Sequence, residues 1–200
     1  LADLDRPVAC VYSRPESMAA STKRHPAQID ARFACDAEGR LQAMEMTADF
    51  DTGAYASWGP TVAGRVPVHG SGPYHLPNAH IQARAYYSNN PPSGAFRGFG
   101  VPQIALAHEA LMDDLAEQVN MDPLEFRLKN ALRAGDHTAT GQLLTASAGL
   151  DQCLQALRPH WHAALEAVAK HNEQNTILRR GVGLGCMWYG CGNTGMSNPS

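Results

Sequence analysis

No run of basic residues appears anywhere in the 200-residue chain, and the formal net charge is −3. A nucleic-acid groove needs clustered Lys and Arg to neutralise phosphates, so that class of partner is not indicated. No stretch approaches the ~18 consecutive apolar residues of a membrane helix, and the N-terminal residues lack the basic-then-apolar order of a secretory signal. Cysteine is scarce and odd in number: Cys10, Cys35, Cys153, Cys186 and Cys191, with no CxxC spacing. That pattern argues against a disulfide framework or a zinc site. Cys186 and Cys191 alone cannot supply the four thiolates of an iron–sulfur cluster, so reduced structural thiols in a cytoplasmic compartment are expected. The nine His show no metal-ligand spacing, and His108–Glu109 lacks the second His of a zinc-protease helix. It reads as a helix-surface or buried, hydrogen-bonded histidine. No nucleophile elbow and no phosphate-binding P-loop is present.

Charge itself is thin. Only 18% of residues are charged while 44% are hydrophobic, against a usual charged share of about a quarter. A chain of this size can bury a sizeable core, and its low charge points to little free surface, as in a piece of something larger. The chain opens "LADLDRPVAC" without Met and closes "MSNPS" shortly after a new apolar stretch; both ends are expected to be cuts.

The periodicity divides the chain in two. In "AQIDARFAC" (27–35), Ile29, Ala31, Phe33 and Cys35 alternate with polar residues; "DAEG" (36–39) is a turn; "LQAMEMTADF" (41–50) returns with Met44, Met46, Ala48 and Phe50 on one face. The pattern predicts a hairpin. "AHIQARAYYS" (79–88) predicts a third strand, with Gly- and Pro-rich loops over 51–65 and 68–78. After residue 100 the period lengthens. Ile104, Ala107, Leu111, Leu115 and Val119 mark a helix. "MDPLEFRLKNAL" (121–132) carries its own start signal: Asp122 as cap, Pro123 in the first turn and Glu125 three residues after the cap. Leu150, Leu154, Leu157, Trp161, Leu165 and Val168 form another helical stripe, which Pro159 should kink or split. Charged stretches such as "LRRG" and "RLKN" read as solvated faces. "RRGVGLGCMWYG" (179–190) reads as a strand. Its "GVGLG" resembles half of a dinucleotide fingerprint, without the helix and acid that must follow; Gly-rich strand packing is the simpler reading. The expected fold class is α+β, a mixed sheet with helices.

One stretch asks for more than a turn. "SGAFRGFGVP" (93–102) places two of the five Phe around Arg97–Gly98. Glycine serves a turn; Phe-Arg-Gly-Phe is not needed for one. Two readings stand here: a glycine-rich connector before a helix, or a ligand loop. In the second, backbone N–H groups near the helix start bind an anion, Arg97 adds charge-assisted donors, and Phe99 offers its face or edge to a flat ring.

With "GPYHLPN" and "YYSNNPP" before it, "SGAFRGFGVPQ" resembles the molybdenum-binding subunit of the xanthine dehydrogenase and aldehyde oxidase family. "RPVACVYSRPESM", "RHP", "FDTGAYASWGP", "MDPLEFRLKNAL", "GDHTATGQLL" and "RRGVGLG" agree with it in order along nearly the whole chain. The resemblance implies a molybdenum–pterin cofactor (molybdopterin or its cytosine dinucleotide), bound by Arg97 with the backbone of Ala95, Phe96 and Gly98 and organised by Gln103. It implies that Phe99 touches the substrate ring. Arg65, 97 − 65 = 32 positions before Arg97 in an ungapped match over "GRVPVHGSGPY", would be the substrate-facing arginine that stabilises negative charge on a purine; a surface salt-bridge arginine is the alternative. An arginine stays protonated and suits that task.

The implied activity is hydroxylation of a C–H of an N-heteroaromatic ring with oxygen from water. Electrons would leave through iron–sulfur clusters and FAD on partner subunits or domains. An aldehyde or pyridine-carboxylate hydroxylase, or a non-catalytic interaction module, is the alternative. The family's catalytic glutamate and its upstream "GGxFGGKE"-like stretch have no counterpart in the 200 residues. Glu109, Glu117, Glu125 and Glu166 all lack the glutamate's context. The chain should therefore be a middle section: 1–176 the back of a first molybdenum-binding domain, 177–200 the start of a second.

Overall fold

The computed structural model describes residues 6–190; Cys191 and the closing "MSNPS" lie outside them. The elements run α1 (Arg14–Ala20), β1 (Ala27–Cys35), β2 (Leu41–Gly53), α2 (Gly59–Ala63), α3 (Arg65–His69), β3 (Asn78–Tyr87), α4 (Val101–Gln118), α5 (Pro123–Asn130) and α6 (Leu150–Gln174).

The predicted hairpin is present. β1 and β2 pair antiparallel from Ala27–Phe50 to Cys35–Leu41. Their turn closes by Gly39 N–H donating to Asp36 O (2.9 Å), with Gly39 at φ +76°. Met44, Met46, Ala48 and Phe50 are buried, and Ile29, Phe33 and Cys35 pack against the same core. Each such aliphatic or aromatic side chain contributes about 1.5–3 kcal/mol when fully buried. β3 adds on the other side of β2, parallel, in the order β1-β2-β3. Parallel neighbours need a crossover, and residues 54–77 supply it.

Two of the loops expected from composition are in part helix. α2 and α3 stand in "WGPTVAGRVPVHG", where Pro60 sits in a first turn and Gly64 and Gly70 take helical φ/ψ. Glycine and proline weaken a helical pattern without forbidding a single turn. α1 was not visible to periodicity either. It opens on a capping box of Ser13 and Glu16 (Ser13 N–H to Glu16 Oε2, 2.8 Å) with Pro15 in the first turn.

α4 buries Ile104, His108, Met112 and Leu115, a stripe rotated from the expected one so that Ala107 and Leu111 lie at its margin. α5 starts as predicted: Asp122 Oδ1 accepts from Leu124 N–H (2.8 Å) and Glu125 N–H (3.2 Å). Glu125 does not reach back to the cap. Its carboxylate takes both arms of Arg158 on α6 (2.6 and 2.9 Å), and Trp161 Nε1–H donates to Asp122 Oδ2 (2.9 Å). α6 is a single helix through Pro159, contrary to a split. Pro159 lies on the exposed side, where the carbonyl it leaves unpaired meets water. The segment 179–190 joins no ladder among the described residues, so the strand expected there is not formed. Its backbone N–H groups donate to side chains instead: Arg180 to Asn172 on α6, Cys186 to Glu109 on α4 and Gly190 to His69 on α3. Arg127, expected on a solvated face, is fully buried, for reasons given below.

Candidate functional site

The stretch 93–103 is pinned at its start. Ser93 N–H donates to Thr52 O and Gly94 N–H to Lys23 O (3.0 Å each). β2 ends in a polar knot that fixes this approach: Asp51 accepts from Gly53 N–H (2.7 Å), Ser88 Oγ (2.7 Å) and Asn90 Nδ2 (2.6 Å). The Ser88 and Asn90 bonds hold its carboxyl below the usual carboxylate range.

The loop then turns through three consecutive left-handed residues, Gly98 (φ +91°), Phe99 (+52°) and Gly100 (+93°). A Cβ on Gly98 would run into the Pro102 ring, and one on Gly100 would lie 2.7 Å from Val62 O. Phe99 has no such excuse. A bulky residue at positive φ is strained by about 1–3 kcal/mol and persists where its surroundings over-determine it. Here Phe99 N–H donates to Phe96 O (2.8 Å), Val101 N–H to Gly98 O (2.9 Å), and the Phe99 ring stands edge-on to Trp58 at 5.9 Å.

Phe99 meets Arg65. The Arg65 guanidinium lies 6.0 Å from the Phe99 centroid and 5.6 Å from that of Tyr189. Arg65 opens α3 and is buried. One turn on, His69 Nδ1 is 3.0 Å from Arg65 O, and His69 Nε2 accepts from Gly190 N–H (3.0 Å). Accepting at Nε2 places the proton on Nδ1, which donates to Arg65 O. His69 also stacks on Tyr189 (5.5 Å, 22°). Burial pushes its pKa down, so the imidazole is held neutral.

The remaining expected residues form a second group. Ala95, Phe96 and Arg97 are exposed. Gln103 bridges back to the segment before β1: its Nε2 donates to His25 O (3.1 Å), and its Oε1 accepts from Arg24 Nη1 (3.3 Å). Among the described residues no acceptor meets the backbone N–H groups of Ala95, Phe96, Arg97 or Gly98, or the Arg97 guanidinium. Four successive amides and an exposed arginine make a donor set suited to an anionic ligand. Phosphate and pterin groups fit that chemistry.

Arg24, Trp58, His69 and Tyr189 went unnoticed in the sequence. All four join the site from distant positions, and none lies in a periodic pattern. Cavities of about 350 and 410 Å³ open elsewhere, the first beside Arg40, His75 and Lys129, the second beside Leu132, Leu150 and Trp188. Neither includes Arg65 or the segment 95–99.

A second polar cluster lies behind this site. Glu109 on α4 accepts from Tyr74 OH (2.6 Å), Arg127 Nε (2.8 Å) and Cys186 N–H (2.9 Å). Arg127 also reaches Asp113 (2.7 Å). Burial and the facing Glu109 carboxylate raise the Tyr74 pKa. Burial works against the Arg127 charge, but the Glu109 carboxylate and the hydrogen bonds to Asp113 and Glu109 outweigh it and the guanidinium stays charged. His108, buried beside Glu109 and 6.4 Å from the Tyr74 ring, is kept neutral by burial. This cluster ties α4, α5 and the 179–190 segment together.

The molybdopterin cofactor-binding domain profile matches residues 2–131. The chain is similar to the nicotinate dehydrogenase large molybdopterin subunit of Eubacterium barkeri, 48% identical over 153 residues that cover 76% of this chain and 36% of that subunit. It is similar to the aldehyde oxidoreductase of Megalodesulfovibrio gigas, 37% identical over 190 residues, covering 95% of this chain and 21% of the relative. The solved aldehyde oxidoreductase from Desulfovibrio gigas superposes with a TM-score of 0.76 at 38% identity, over 80% of this chain and 17% of that one. The chain thus spans about a fifth to a third of the length of these curated relatives. Among the described residues no helix is long and apolar enough to cross a membrane.

Proposed function

The chain belongs to the molybdopterin cofactor-binding domain family, and from that premise we propose that it forms one wall of the active site of a molybdenum hydroxylase acting on a flat N-heteroaromatic ring such as a purine. Arg97 and the N–H groups of Ala95, Phe96 and Gly98 hold the anionic part of the cofactor, and Gln103 braces the loop. When bound, the molybdenum–pterin group supplies the two-electron oxidation, with oxygen drawn from water. Arg65 stabilises negative charge developing on a ring heteroatom, and Phe99 meets the ring by edge or face. The rest of the subunit contributes the general base. Iron–sulfur and FAD partners carry electrons away, in the cytoplasm. Residues 1–176 end a first molybdenum-binding domain and 177–200 begin a second.

The observation that carries this reading is the meeting of Arg65 and Phe99 at 6.0 Å beside the donor-lined loop. A permanently charged donor next to an aromatic ring is what an electron-poor, planar substrate needs in order to be both positioned and activated. The test is Arg65→Met in the intact enzyme. Loss of one such electrostatic donor lowers kcat by about 10²–10³, so purine turnover collapses while aldehyde turnover stays within a few-fold. Equal loss on both substrates refutes the assigned role.

A second reading has its own support: the 48% identity to a nicotinate dehydrogenase subunit. For a pyridine carboxylate, Arg65 pairs with the substrate carboxylate, and Arg65→Met raises KM more than it lowers kcat. Molybdenum analysis of the fully matured complex decides between either enzyme and a non-catalytic module: a complex without metal is the module.

A further inference from the structure

We propose that Arg24 is a positioning residue for the cofactor, fixing from outside which way the donors of the 95–99 loop face. The inference rests on reading that loop as the cofactor's binding segment.

Arg24 lies between α1 and β1, 73 residues from Arg97. Its Nη2 donates to the Arg97 carbonyl at 2.7 Å, and its Nη1 to Gln103 Oε1 at 3.3 Å. Its guanidinium sits 4.7 Å over the Phe96 ring. Gln103 answers by donating to the neighbouring His25 carbonyl at 3.1 Å. One side chain therefore grips the loop at its backbone, at an aromatic face and at the start of α4.

The backbone contact decides orientation. A trans peptide is planar, and its C=O and N–H point in opposite directions. Drawing the Arg97 oxygen toward Arg24 turns the Gly98 N–H of the same peptide away from Arg24, and no acceptor meets it among the described residues. Gly98 at φ +91° allows that turn. A peptide flip at this bond would replace the donor with a carbonyl, which repels an anion. A lysine cannot take this place fully, because its compact ammonium lacks the planar fork that bonds two separated acceptors while lying over a ring.

The experiment uses the intact subunit in its matured complex, as wild type, Arg24→Ala and Arg24→Lys. Molybdenum and pterin per subunit, the rate of pterin release at mild heat, and the Tm of the cofactor-free protein are measured on each. Arg24→Ala should release pterin about tenfold faster and retain correspondingly less molybdenum, as loss of a charge-assisted contact predicts. Arg24→Lys should fall between, with the cofactor-free Tm of both unchanged. Wild-type content and release rate in Arg24→Ala overturn the proposal, as does a loss that merely follows a lowered Tm in both variants. If Arg24→Ala fails to fold, Arg24→Lys decides: wild-type release overturns the proposal and faster release at unchanged Tm supports it. A wild-type complex that never holds molybdenum sinks the underlying cofactor reading instead, which the variants cannot imitate.

Discussion

Arg127 and Arg97 carry the same guanidinium and use it in opposite ways. Arg127 is fully buried, and its nitrogens donate to Glu109 Oε2, Glu109 O, Asp113 Oδ1 and Pro123 O. Arg97 is exposed. Its backbone carbonyl is held by Arg24, while its guanidinium meets no acceptor among the described residues. The first has been desolvated and must be satisfied inside the fold. The second leaves its donors without an acceptor among the described residues, which is why it is proposed to hold the cofactor. An arginine in a motif is thus no more informative than the fate of its donors, and the two should fail differently when removed.

The largest effect is expected at the buried member. Arg127→Leu leaves Glu109 charged without its main partner and should lower unfolding free energy by about 3–5 kcal/mol, read by denaturant titration of the subunit. Glu109→Gln should be milder, near 1–3 kcal/mol, because the amide still accepts from Tyr74 or the Cys186 N–H. Gly98→Ala comes next. With φ at +91° and the Pro102 ring in its way, it should weaken the fold by about 1–3 kcal/mol and cofactor retention along with it. Arg97→Ala should leave Tm unchanged while molybdenum retention falls about tenfold. A Tm loss equal to that of Arg127→Leu would erase the contrast.

The smallest effect is on pH. Burial keeps the folded pKa of His69 and of His108 below the ordinary 6.5. Their neutral forms therefore favour folding fully above about pH 6.5, and that contribution is lost as pH falls through the folded values. Asp51 is also depressed, from 3.8, so its contribution survives to more acidic solution. The denaturation midpoint should decline first in the histidine window, and His69→Gln should flatten that decline.

The same contrast explains what the sequence made legible. The β1–β2 hairpin and the Asp122 cap are written locally, one as period-2 alternation and the other as Asp-Pro with its neighbours. The 93–103 loop stood out by composition, but its residues alone left a connector and a ligand loop both open. Arg127 could not, because its partners lie on another helix and "RLKN" looks like any solvated face. The parallel pairing of β3, the short helices α2 and α3 and the continuity of α6 through Pro159 depend likewise on what packs alongside. Arg24, His69 and Tyr189 reach the site across long stretches of chain, and no spacing rule connects them.

The loop's attachments also bear on the order in which the chain assembles. The β1–β2 hairpin joins neighbours across a five-residue turn, whereas β3 must first close the crossover over 54–77 and the loop must find Lys23 and Arg24 some seventy residues back. Contacts between distant residues form later, because chain closure comes before their reward. The 93–98 segment is therefore expected to be among the last to settle. If the 95–98 amides hold the cofactor as proposed, its arrival should coincide with the final closing of the chain around it.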